Sequence, residues 1–198
     1  MATLCREPQK ISYLYLKVPL RIEVFYQGLW KSGTTVSVSI YQQAVSIKLI
    51  NSESWRIQPI VIEVKSKRLL VINCYFPTDK RNNDDICPEL EECLAEISNI
   101  IQSTNFTDLR ISGDLNFEAT RQTSNANMIR TFLTNHNLCT AWDTHAVDYT
   151  YIFETENGDS RRTTIDHFIG LRRDVGNILE ANAIHRVEDC SVMRLSIA

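Results

Sequence analysis

Residues 109–118 read LRISGDLNFE, a short apolar run that breaks at Gly113 into an acid and an amide two positions apart. Leu109 and Ile111 have the spacing of a buried strand, and Gly113 permits a sharp exit, so Asp114 and Asn116 are presented at the strand's carboxyl end. Open α/β sheets keep their chemistry at that end. A carboxylate only accepts hydrogen bonds while a carboxamide both donates and accepts, so together they can hold a water and a phosphate oxygen. The local alternative is an Asx turn that does no more than close the strand.

Working outward toward the N-terminus, residues 69–75 are almost continuously apolar, as a strand covered on both faces is, and the run ends at Tyr75-Phe76-Pro77. Residues 60–64 read as another strand. Residues 35–42 alternate Val36, Val38 and Ile40 with Ser37, Ser39 and Tyr41, the two-residue period of a half-buried strand. Residues 45–50 repeat that period, and 22–26 make a further strand, whereas 1–21 show no clear pattern. After Pro77 a polar loop over 78–85 leads into a helix. Pro88 suits its first position and glutamates its first turn, and Leu90, Leu94, Ile97 and Ile101 fall on one face.

Toward the C-terminus, a second helix is expected near 127–136, with Ile129, Phe132 and Leu133 inward, ending near Leu138 in a loop around Trp142. Residues 150–155 and 161–169 flank Asn157-Gly158, the dipeptide that most strongly signals a tight hairpin turn. Residues 178–187 and 192–197 supply two closing strands. The five strands between residues 22 and 75 look like one sheet of a layered structure.

The chain has 198 residues, 43% of them hydrophobic, with 21 basic and 24 acidic side chains and a net charge of −3. That length predicts one domain over 1–198 with a real core. The charge balance excludes a protein coated in positive charge, so a nucleic acid would be held by a local patch. Cysteines at 5, 74, 87, 93, 139 and 190 lack the close pairs of a zinc site and the density of a disulfide scaffold. They read as reduced thiols. There is no apolar run of about 18 residues and no signal-peptide core. A soluble intracellular protein of the nucleus or cytoplasm, with no membrane partner, is the expectation.

Several polar residues stand at the ends of separate strands: Tyr75, Asp114 with Asn116, Asp166 inside TTIDHFIG, and Asp189-Cys190 before the last strand. They could converge on one rim, and a buried acid such as Asp166 needs a partner to offset its desolvation. The bland alternative gives each a local task as a turn, a cap or a surface ion pair. In order and rough spacing, INCYFPTD, ISGDLNFE, TYIFETENGDSRRTTIDHFIG and EDCSVMRLSI resemble the endonuclease/exonuclease/phosphatase family, and within it the LINE-type non-LTR retrotransposon endonucleases most closely. The resemblance covers about residues 22–197. It implies a DNase I-like, four-layer α/β sandwich in which two mainly antiparallel β-sheets pack face to face and helices flank them.

Carried over residue by residue, the resemblance implies that Asp114 and Asn116 position the attacking water and the scissile phosphate, and that Tyr75 contacts phosphate. It implies that Asp166 orients a catalytic histidine and that Asp189 and Glu7 hold Mg2+ or Mn2+. Arg161 and Arg162 follow the Asn157-Gly158 turn, where the resemblance implies a hairpin that probes a DNA groove. For either arginine, a solvated strand end is an equal alternative. The domain is expected to act as a monomer on DNA, without a small-molecule cofactor.

The departures are specific. The family's opening strand carries an asparagine at the metal site, and here the first asparagine is Asn51, so that strand is expected to be missing. In the terminal motif Cys190 stands where the family has its histidine. His167 is no substitute, because the two-residue period of a strand sends it to the face opposite Asp166. A thiol is a weak donor, and a thiolate repels phosphate. Two readings remain open: a metal-dependent DNA-nicking endonuclease domain of retrotransposon origin with impaired activity and weakened or lost metal binding, or a catalytically inactive remnant that at most binds nucleic acid or protein.

Overall fold

A computed structural model of the chain describes residues 22–29, 33–40, 46–64, 67–78, 87–143, 149–154, 157, 159–185 and 191–197. In chain order these form β1 (Ile22–Leu29), β2 (Gly33–Ile40), β3 (Ser46–Leu49), β4 (Ile57–Val64), β5 (Lys67–Tyr75), α1 (Pro88–Ser103), β6 (Asp108–Asp114) and α2 (Ser124–Asn135). Then follow β7 (Leu138–Thr140), β8 (Tyr151–Glu154), β9 (Ser160–Thr163), β10 (Asp166–Leu171), β11 (Ile178–His185) and β12 (Ser191–Ile197).

The larger sheet has six strands in the order β3-β4-β5-β6-β10-β7, and the smaller has four in the order β11-β12-β1-β2. Every pairing is antiparallel except that of β5 with β6. The crossover between those two parallel strands is α1, as a parallel connection requires. β1 and β2 lie against β5 and β6, so the two sheets pack face to face in an α/β sandwich.

Period-two alternation in β6 divides its side chains cleanly. Leu109 and Ile111 join the core that also holds Leu70, Ile72 and Cys74 of β5, Leu90, Leu94 and Ile97 of α1, and Ile129 and Phe132 of α2. Both helices thus cover the outer face of the larger sheet. Arg110, Ser112 and Asp114 point the other way, toward the smaller sheet. α1 begins with Pro88 and has Glu89 and Glu91 in its first turn, where they favour the positive end of the helix dipole. α2 is capped by Thr123, whose hydroxyl accepts the Ala126 N–H at 3.2 Å.

The structure departs from the sequence expectation in four places. The strands over 22–75 are not one sheet: β1 and β2 pair with the closing strands in the smaller sheet, and β3, β4 and β5 belong to the larger, because sheet membership is set by pairing with distant strands. Residues 161–169 are not one strand: β9 belongs to a separate two-stranded ribbon with β8, and β10 to the larger sheet. The break falls at Thr164-Ile165, where the N–H groups of Ile165 and Asp166 both turn to the Thr150 hydroxyl, at 3.0 and 3.1 Å. The end of the second helix is followed at once by β7, a three-residue strand too short to show a period. β3 lacks the covered face that alternation implies: Ile47 and Leu49 are 61% and 83% exposed, and β3 is an edge strand.

Gly113 has φ of +145°, and a Cβ at this position would collide with the Cys74 carbonyl oxygen of the neighbouring strand. Replacing it strains the backbone and forces the carboxyl ends of β5 and β6 apart. Gly113→Ala should therefore lower stability by about 3 kcal/mol or more, at the severe end for point substitutions, in equilibrium urea unfolding.

Candidate functional site

The carboxyl ends of β5 and β6 and the start of β10 lie side by side. In the parallel pairing Tyr75 is in register with Asp114, and in the antiparallel pairing Asp114 is in register with Asp166. Three of the residues singled out in the sequence therefore form one row across three adjacent strands, on the face turned toward the smaller sheet. Directly opposed residues of an antiparallel pair have their Cβ atoms about 4.5–5.5 Å apart, so the two carboxyl groups are immediate neighbours.

Asn116 extends the row beyond the strand end. Its φ of +46° is a left-handed conformation that asparagine tolerates. Its N–H donates to Asp114 Oδ1 at 3.0 Å, and its Nδ2 donates to the Phe76 carbonyl at 2.7 Å. The first bond is an Asx turn, so the local alternative read from the sequence is present as a structural fact. It coexists with the row and orients the Asp114 carboxylate.

Burial sets the electrostatics of the pair. Desolvation pushes the Asp114 carboxyl up to about 6, with the Asn116 N–H working against it. Asp166, only 8% exposed, is pushed up to about 8 by desolvation first and then by the charge of Asp114, opposed by a hydrogen bond from Thr150. Two like charges so close do not both ionise near neutral pH, so the pair retains a proton.

Sequence reasoning missed two residues that hold Asp166. Buried Thr150 accepts N–H bonds from Ile165 and Asp166, leaving its own proton for the Asp166 carboxylate. The Trp142 indole N–H donates to the Asp166 carbonyl at 2.9 Å. The position of Thr150 at the foot of the hairpin was the available signal for the first; a lone tryptophan in a loop carries none for the second.

His167 faces away from the acids, as the strand period requires. Its ring packs 5.1 Å from that of Phe117, its Nε2 lies 2.7 Å from the Phe117 carbonyl, and burial pushes its pKa down to about 4. It is a neutral core histidine. Arg161 and Arg162 are exposed on β9, and the Arg162 guanidinium lies 4.7 Å from the Tyr149 ring centroid. The ribbon is tied to the row at its base, where the Thr150 N–H donates to the Thr163 carbonyl at 3.0 Å. Glu7, Asp189 and Cys190 lie outside the described residues. Among the described residues no group of three or more His, Cys, Asp and Glu could hold a metal ion, and no helix is long and apolar enough to cross a membrane.

No protein-family model matches this sequence, and no curated protein matches it. Solved structures do. The endonuclease domain of TRAS1, a telomere-specific non-LTR retrotransposon, superposes with a TM-score of 0.63 at 13% identity, over 88% of this chain and 80% of that one. The 3′ phosphatase NExo from Neisseria, bound to a product DNA hairpin, gives 0.58 at 13% identity, over 89% and 79%. An endonuclease/exonuclease/phosphatase family protein from Leptotrichia buccalis gives 0.54 at 13% identity, over 89% and 72%. The chain shares their fold.

The raised carboxyl pKa values have a measurable sign. A group that holds its proton more tightly folded than unfolded contributes stability below its unfolded pKa of about 4, and loses it as pH rises toward its folded value. In metal-free buffer the melting temperature should therefore fall between pH 5 and pH 8, apart from other titrations. Asp114→Asn, which removes the like charge, should flatten that fall and raise stability at pH 8 by about 1–3 kcal/mol, at about 1.4 kcal/mol per pKa unit.

Proposed function

We propose that this domain hydrolyses phosphodiester bonds of DNA with the help of a divalent metal, at a rate lowered by cysteine at position 190. The observation that carries the reading is the row formed by Tyr75, Asp114 and Asp166 at adjoining strand ends, with Asn116 fixed beside it. The kinship of fold with a retrotransposon endonuclease and a DNA-bound phosphatase supports it.

A carboxylate whose pKa is raised toward neutrality is a better base than an ordinary aspartate, because its proton affinity lies nearer the working pH. Asp114 takes that role toward the attacking water. The Asn116 carboxamide, held in plane by the Phe76 carbonyl, fixes the phosphate, and the Tyr75 hydroxyl contacts a phosphate oxygen. Asp166 retains the proton that the pair shares and orients the group that follows it from the terminal motif. Arg161 and Arg162 on the exposed ribbon contact backbone phosphates, which positions DNA without reading its sequence.

The residues present suit a hard cation. Two buried carboxyl groups that retain a proton for want of positive charge leave the row short of a cation, which Glu7 and Asp189 would hold beside it as Mg2+ or Mn2+. When bound, the ion supplies charge stabilisation at a non-bridging phosphate oxygen. Cys190 in place of histidine removes the donor that Asp166 would polarise, and such a loss costs about 10²–10⁴ in rate. A DNA-binding module without catalysis is the second reading, and Cys190 is the feature that favours it.

Nicking of supercoiled plasmid in magnesium distinguishes them. The parent chain should nick slowly, Asp114→Ala should abolish the activity, and Cys190→His should raise it by at least an order of magnitude. Nicking that survives Asp114→Ala would overturn the enzymatic reading; DNA binding without nicking in the parent and in Cys190→His would establish the second. A companion titration of magnesium by calorimetry should show weak binding that Glu7→Ala weakens further.

A further inference from the structure

The segment 51–57, NSESWRI, enters β4 beside the candidate site and leaves a large aromatic side chain in water. Trp55 is 72% exposed, yet the turn that carries it is tightly tied. Ser52 Oγ donates to Glu96 at 2.6 Å and the Glu53 N–H to the same carboxylate at 2.8 Å, which anchors the turn to α1. The Ile57 N–H donates to the Ser54 carbonyl at 3.2 Å, and the Tyr75 N–H to the Arg56 carbonyl at 2.9 Å, which fixes Trp55-Arg56 against the end of β5.

The Arg56 side chain completes the arrangement. Its guanidinium carbon lies 4.4 Å from the Trp55 ring centroid and 5.4 Å from that of Tyr75, and the two rings are 6.2 Å apart at 40°. Its nitrogens reach the Tyr75 carbonyl at 3.4 Å and Glu89 Oε2 at 3.3 Å. A cation over an aromatic face is attracted by the ring's negative face, which biases the indole toward one orientation. One side of the indole is occupied by Arg56, and the remaining surface faces solvent next to Tyr75.

We propose that Trp55, held by Arg56, is a stacking platform for one unpaired nucleobase next to the phosphodiester at the Tyr75–Asp114–Asp166 row; this rests on the reading of that row as a DNA phosphodiester site. Nucleobases in a duplex already have their faces covered by neighbours, so an exposed indole gains a stacking partner from a single-stranded or displaced nucleotide. Stacking is the contact, and phosphate pairing is not: Glu89 neutralises Arg56 and disfavours a second anion there. Every base has a π-face, so the platform takes any of them.

Binding of a short fluorescein-labelled single-stranded oligonucleotide and of its duplex, followed by anisotropy in EDTA, tests the proposal without requiring catalysis. Trp55→Ala should weaken single-strand binding about 5- to 150-fold and Trp55→Phe much less, with duplex affinity unchanged. The slope of affinity against salt should be the same in Trp55→Ala as in the parent, since no phosphate contact is lost. The exposure of Trp55 makes a folding defect an unsuitable explanation, and unchanged thermal unfolding verifies that. Single-strand affinity equal to the parent's, or an equal loss for duplex, overturns the platform alone. A parent chain that binds neither form overturns the phosphodiester reading and the platform with it.

Discussion

The close approach of β5 and β6 at Gly113 is the constraint on which the rest of the site depends. A backbone without Cβ lets the Cys74 carbonyl sit where a side chain would otherwise stand, so the two strands stay parallel and in register to their ends. Asp114 can then leave the strand beside Tyr75. The antiparallel return of β10 sets Asp166 on its other side. The apolar half of the same strands, Leu109 and Ile111 among them, is pinned by both helices, so the polar row is carried on a rigid support.

That support holds an arrangement which opposes folding. Two carboxyl groups in neighbouring register positions, both shielded from water, repel when ionised and lose hydration whether ionised or not. No salt bridge relieves either acid among the described residues. What holds them is local: the Asn116 N–H on Asp114, Thr150 on Asp166, and the Trp142 indole on the Asp166 carbonyl. A core strand could carry apolar residues at both positions at lower cost, so the pair has the character of a site that trades stability for chemistry.

Much of this was legible in the chain. The apolar run before Tyr75, the GDLN corner and the proline-initiated helix each have a local cause, and each stands in the structure where its local physics places it. What the chain could not show was pairing. Nothing in the spelling of residues 109–118 or 160–169 says that an acid will face an acid, because register is a property of two strands at once. The division of 161–169 between two sheets was hidden for a related reason, since it is made by the hydroxyl of distant Thr150 and not by a break in alternation. Trp55 and Trp142 are spelled alike, one open beside Tyr75 and the other bonded behind Asp166, and only their neighbours tell them apart.

The two-stranded ribbon β8-β9 is a sheet of its own, and its base meets the acid row through Thr150 and Thr163. Its outer residues, including Arg161, Arg162 and Ile152, make no part of the larger sheet's ladder. Such a division makes the molecule modular. The length, charge and shape of the ribbon beyond Thr150 and Thr163 are open to variation while the surroundings of Asp166 stay constant, so its outer surface can change without disturbing the acid row.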